Sequence, residues 1–204
     1  MTVDAGLRWA STAAFLAVAG YCVARLVAAH RAPDGYPGQH RAVDVAHVLM
    51  GVGMAAMASP VGGPLPMAGW QTIFLLITAW FVGSWWHERR AGPPRRDDTG
   101  WHGTGLHHAV AAMAMLYMLF AMPHGSGHHG APWLDGWATP GMALPLVGWA
   151  LAAYFLVSAV LLLVRTSWRA TPASRSSILL TPRIMVACQA TMAVGNGYLL
   201  VAML

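Results

Sequence analysis

The chain contains no lysine: all twelve of its basic residues are arginine. A phosphate-binding loop of the Gly-x-x-x-x-Gly-Lys type is thereby excluded. Charge of either sign is scarce, at 9% of residues, where soluble domains carry roughly a quarter. Cysteine is nearly missing too. Cys22 and Cys188 are the pair present, each inside an apolar run, so a disulfide framework is not expected. Hydrolase signatures are lacking. There is no Gly-x-Ser-x-Gly, and His87-Glu88 has no second histidine at His-Glu-x-x-His spacing.

What is abundant is apolar surface, at 57% of the 204 residues with a mean hydropathy of +0.51. This balance predicts an integral membrane protein, a single helical domain over 1–204, with the lipid bilayer as its main partner. The net charge of +5 does not point to nucleic acid, because the arginines sit in short loops between apolar runs. Arg8 is preceded by Asp4, and the run from Ala10 to Ala29 is long enough to span a bilayer. It is therefore read as a helix of the mature protein rather than a signal peptide.

Six segments are long and apolar enough to cross about 30 Å of hydrocarbon. They are 7–29, 42–59, 67–87, 105–122, 142–165 and 182–204. Backbone in lipid must satisfy its own hydrogen bonds, so each is expected to be helical and the fold all-α. Prolines punctuate the boundaries, with Pro60, Pro64 and Pro66 after the second segment and Pro123 after the fourth. Arg25, Arg31 and Arg41 are assigned to one loop side, with Arg89, Arg90, Arg95 and Arg96, and then Arg165, Arg169, Arg175 and Arg183. Only Arg8 lies opposite. Basic residues favour the cytoplasmic side, so both termini are expected outside, in a multi-pass protein of the plasma membrane. Trp70, Trp86, Trp101, Trp133, Trp137 and Trp168 suit interfacial belts.

Two segments repeat one pattern. HVLMGVGMAAM at 47–57 and HAVAAMAMLYM at 108–118 both read His-x6-Met-x2-Met. At 100° per residue His47, Met54 and Met57 share an arc of about 80°, with Met50 inside it. His108, Met115 and Met118 repeat that arc, Met122 continues it, and His107 is displaced by about 100°. In the last segment Met185, Cys188 and Met192 share a face, with Asn196 a turn beyond. His47, His108 and Cys188 lie at depths differing by only about 5 Å along parallel helices. An imidazole and thiol layer under thioether layers is therefore expected. Such a soft donor set selects Cu(I), while zinc rarely takes thioethers. Asp44, one turn before His47, is expected to hold the tautomer of a ligating histidine from behind. The exterior tract with His124, His128 and His129 is a candidate for collecting metal.

These His-Met spacings resemble those of an uncharacterised family of actinobacterial integral membrane proteins known only as a domain of unknown function. The resemblance implies a polytopic helical bundle with His and Met positions suspected of binding metal, and no reaction.

Three functions compete. The first is a copper(I)-binding protein for storage, handling or transport. The second is a membrane oxidoreductase using copper, or haem b held axially by His47 and His108. The third is a metal-free subunit whose His and Met faces meet another membrane protein or a second copy, with Gly51, Gly53, Gly148, Gly195 and Gly197 permitting close helix packing. Against all of these stands the bland reading, in which methionine is a common filler of helix interfaces.

Overall fold

A computed structural model describes residues 5–31, 38–90, 104–121, 143–168 and 182–204. Every regular element among them is an α-helix: α1 Ala5–Arg31, α2 Gly38–Ala58, α3 Met67–Arg90, α4 Thr104–Ala121, α5 Pro145–Trp168 and α6 Pro182–Met203. All but α4 are long and apolar enough to cross a membrane. With 18 residues α4 rises about 27 Å, slightly short of the hydrocarbon thickness. The protein is a multi-pass, all-helical membrane protein.

The helices bury narrow stripes and give the rest of their surface to lipid. On α1 the buried residues are Thr12, Phe15, Ala19, Cys22, Arg25 and Ala29, spaced three and four apart. That spacing keeps them on one face. On α5 the stripe is Gly148, Ala152, Phe155 and Ala159, while Leu146, Leu156, Val160 and Leu163 point outward. Large apolar side chains on the outside would be a liability in water. In a bilayer they face a solvent as apolar as themselves.

The described residues fall into two compact units. The first comprises Met1–Pro64 and Ala121–Leu204, and the second Leu65–Phe120. In the first, α1 packs along α2 and α5 along α6, and α6 also touches both α1 and α2. Helix α2 is the most enclosed, with residues 53–59 all buried. The close approach of α1 to α2 depends on Gly51. A Cβ there would stand 3.1 Å from the Phe15 carbonyl oxygen and 3.2 Å from the Ala19 Cβ. At the C-terminal end of α2, Arg8 donates from Nε to the Ala58 carbonyl at 3.1 Å and from Nη2 to that of Ser59 at 2.8 Å. A guanidinium thus satisfies the Ala58 carbonyl at the helix end and shares that of Ser59 with the Gly62 amide, which donates to it at 3.3 Å.

In the second unit, α3 buries Trp70, Phe74, Ile77 and Phe81 on one stripe. Trp70 is therefore not an interfacial belt residue: it is 2% exposed, and its ring centroid lies 6.0 Å from that of Phe74. Trp86 is exposed, as a belt residue should be. Trp101, Trp133 and Trp137 lie outside the described residues, as does the side chain of Trp168.

Candidate metal centre

The centre is built where α1, α2 and α6 meet inside the first unit. Helix α1 supplies Cys22 and Arg25 from its inward stripe. Helix α2 supplies Asp44 and His47, three residues apart and hence on one side of the helix. Helix α6 supplies Cys188.

The Cys22 sulfur, an Asp44 carboxylate oxygen and a His47 ring nitrogen all lie within 4.8 Å of one another, and all three residues are buried. The Cys22 and Cys188 thiols hydrogen-bond each other, which brings the second sulfur to the edge of the same cluster. On the other side, Arg25 Nε stands 3.4 Å from Asp44 Oδ2. The Arg25 guanidinium also lies 6.0 Å from the Tyr21 ring centroid. A sulfur ligand sits about 2.3 Å from a zinc-like ion and a nitrogen about 2.0–2.1 Å, so three donors that share one ion stand roughly 3.5–4 Å apart. From separations of up to 4.8 Å the cluster would draw in by as much as about 1 Å on binding.

Arg25 neutralises Asp44, which leaves two sulfurs and one imidazole as the donors with no competing charge. This makes Cys22 the principal addition to the residues expected from sequence. Two signals for it were present. Arg25 interrupts an apolar run and has to face inward, and Cys22 lies one turn before it on the same face. Arg25 itself is not part of a loop. It is 3% exposed inside α1 and does not mark the cytoplasmic side, so the arginine asymmetry rests on ten residues rather than eleven.

An Asp44 carboxylate oxygen lies within 4.8 Å of the Cys22 and His47 donor atoms. Met50, Met54 and Met57 are buried along α2 beyond His47, and Met192 is buried along α6 beyond Cys188. The two helices keep register. A Cβ on Gly195 would touch the Met54 sulfur at 3.4 Å. His47 and Cys188 each lie seven residues before those positions, about 10.5 Å down their helices.

His107, His108, Met115 and Met118 belong to the second unit. There the His108 ring stacks on Phe81 with centroids 5.1 Å apart and meets His107 edge-on at 5.8 Å. His108, Met115 and Met118 are fully buried, while Met113 faces outward. Among the described residues, the first unit's Cys22, Asp44 and His47 make the group of metal-ligating type. Met122, His124, His128 and His129 lie outside the described residues, and so does the side chain of Met185.

A family model described as domain of unknown function (DUF5134) matches residues 39–203. That span includes Asp44, His47 and Cys188 but starts after Cys22. No curated protein and no solved structure matches the chain.

Proposed function

We propose, for a chain that belongs to the DUF5134 family, that it binds copper(I) inside its helix bundle, as a membrane protein of copper storage, handling or transport. The observation that carries this reading is the buried convergence of Cys22, His47 and Asp44, with Cys188 hydrogen-bonded to Cys22. Ionisable groups are costly in a membrane interior and mark function there by default. Thiolate and imidazole together are soft enough for Cu(I) and wrong for Mg, Ca or Mn.

Zinc shares a taste for Cys and His. What favours copper is the thioether column that continues from the cluster, Met50 and Met54 on α2 and Met192 on α6. In this reading Cys22, Cys188 and His47 hold the ion. Asp44 stays paired to Arg25 and orients the imidazole, and the methionines offer weaker contacts beyond. His107, His108, Met115 and Met118, in the second unit, would serve as a secondary donor group. The arginine-rich loops favour placement in the plasma membrane with both termini outside.

The test is metal analysis of the detergent-purified protein after anaerobic loading with Cu(I) or Zn(II). Stoichiometric copper, lost on replacement of Cys22 or His47 by Ala, supports the reading. No bound copper, or zinc retained in preference to it, overturns it.

A further inference from the structure

Helix α6 carries a second buried polar feature that the cluster does not use. Asn196 is 1% exposed, and neither its amide nitrogen nor its amide oxygen has a hydrogen-bond partner among the described residues. A primary amide has two donors and a two-fold acceptor, and burying all of them unpaired is unfavourable. In native structures such a group usually answers to a water or an ion.

Its place on the helix is informative. Val194 and Val201 face outward. At 100° per residue Asn196 lies on the opposite side, within about 20° of the buried Gln189. Met192, one turn before it, is buried on the same side. The residues on either side are glycines. Gly195 leaves room for Phe15 and the Met54 sulfur, and Gly197 comes within contact range of Phe155. Asn196 thus sits where α6 has little side-chain bulk of its own, with Met192 one turn before it and the Met54 sulfur against the neighbouring Gly195. It is eight residues beyond Cys188, about 12 Å along the helix.

We infer that the interior of this unit holds a second, weaker position for a soft monovalent cation and a water, made by the Asn196 amide with the Met192 and Met54 thioethers. The inference rests on copper being the ion at the cluster, and it makes the cluster exchangeable rather than sealed. The donors are neutral, so they lend the ion an amide-oxygen or thioether contact without the thiolate bonds that would trap it. An anion is not suited, since two thioethers and an amide oxygen present lone pairs.

The experiment compares the full-length wild type with Asn196→Leu and Asn196→Ser. Each is loaded with Cu(I) and then mixed with an excess of bathocuproine disulfonate, whose colour reports copper leaving the protein. Leucine keeps the volume and removes the polar atoms. In Asn196→Leu, transfer to the chelator is expected to slow by an order of magnitude, and any copper held in excess of the cluster's own ion is expected to be lost. Serine keeps a small polar group with room for water and is expected to transfer at close to the wild-type rate. Transfer from Asn196→Leu at the wild-type rate overturns the inference and leaves the cluster reading intact. So does a serine variant as slow as the leucine one. A wild type that takes up no copper defeats the cluster reading and this one together.

Discussion

Arg25 and Asp44 face each other across the α1–α2 contact, Nε 3.4 Å from Oδ2, with 3% and 1% of their side chains exposed. The pair is the base of the Cys22, Asp44 and His47 cluster. It cancels a carboxylate charge that would otherwise sit beside two thiols, and it ties the two helices at the cluster's level.

Breaking that pair from one side should cost more than removing it. A buried charge left without its partner destabilises by about 3–5 kcal/mol, whereas an apolar replacement of both is often neutral. Asp44→Ala and Arg25→Ala should therefore each lower the melting temperature in detergent markedly. The double variant Arg25→Met with Asp44→Leu should recover most of the loss. Thermal unfolding followed by circular dichroism checks this. A double variant as unstable as the worse single one would refute the ion pair as the source of the effect.

Copper binding at the Cys22, Asp44 and His47 cluster, as proposed, predicts unequal histidines. His47→Ala should weaken Cu(I) binding by more than the 10–100-fold, roughly, that loss of an outer partner costs a metal site. His108→Ala should leave binding at the Cys22 cluster unchanged, because the imidazole that gathers with Cys22 and Asp44 is that of His47, while the His108 ring stacks on Phe81. Competition with a calibrated Cu(I) chelator measures both. An equal loss in the two variants would mean that the histidines share one ion.

The thiol contact predicts a cross-link. Cys22 and Cys188 hydrogen-bond across α1 and α6, so the metal-free protein should form an intramolecular disulfide when treated with diamide. The S–S bond forms as both S–H bonds break, and the diazene takes up the two electrons and two protons to become a hydrazine. Peptide mapping without reductant should show an α1 peptide joined to an α6 peptide. Prior loading with Cu(I) should protect both thiols, and the oxidised protein should no longer take up copper. A pair that stays reduced would place the sulfurs farther apart than the structure has them.

The helices were legible in the sequence because lipid imposes a simple rule: an apolar run of sufficient length has no option but helix. Boundaries from 67–87 against Met67–Arg90 and 105–122 against Thr104–Ala121 differ by a turn at most. The common depth of His47 and Cys188 was legible too, since residue counts from the N-terminal ends of α2 and α6 measure it. Neighbourhood was not. In lipid both faces of a helix are apolar, so hydropathy does not say that α1 lies against α2 or that Cys22 meets His47. Only the polar exceptions carry that information, and Arg25 was the one that mattered. Read as a loop cation it spoke for topology; read as an inward-facing charge it points to Asp44 and to Cys22 beside it.

The last prediction concerns how tightly α6 is held to the other two helices that build the cluster. A Cβ on Gly195 would overlap the Phe15 ring, with Cζ at 2.9 Å and the neighbouring Cε1 closer still. Phe15 is itself buried, at 4% exposure, and its own carbonyl oxygen already lies against Gly51, so neither the ring nor its backbone has room to retreat. Gly195→Ala should therefore act as an overpacking mutation and cost about 1–3 kcal/mol, despite alanine's better helix propensity. Because the clash is with one ring, Phe15→Leu should relieve it. The double variant should be more stable than Gly195→Ala alone, a sign of coupling that two independent sites would not give. Since Cys188 rides on the same helix seven residues away, displacement of α6 should also weaken copper binding in Gly195→Ala, and restoring the packing should restore it. Melting temperature and copper affinity measured on the three variants would separate a local clash from a shift of α6. A clash alone lowers the first and leaves the second untouched.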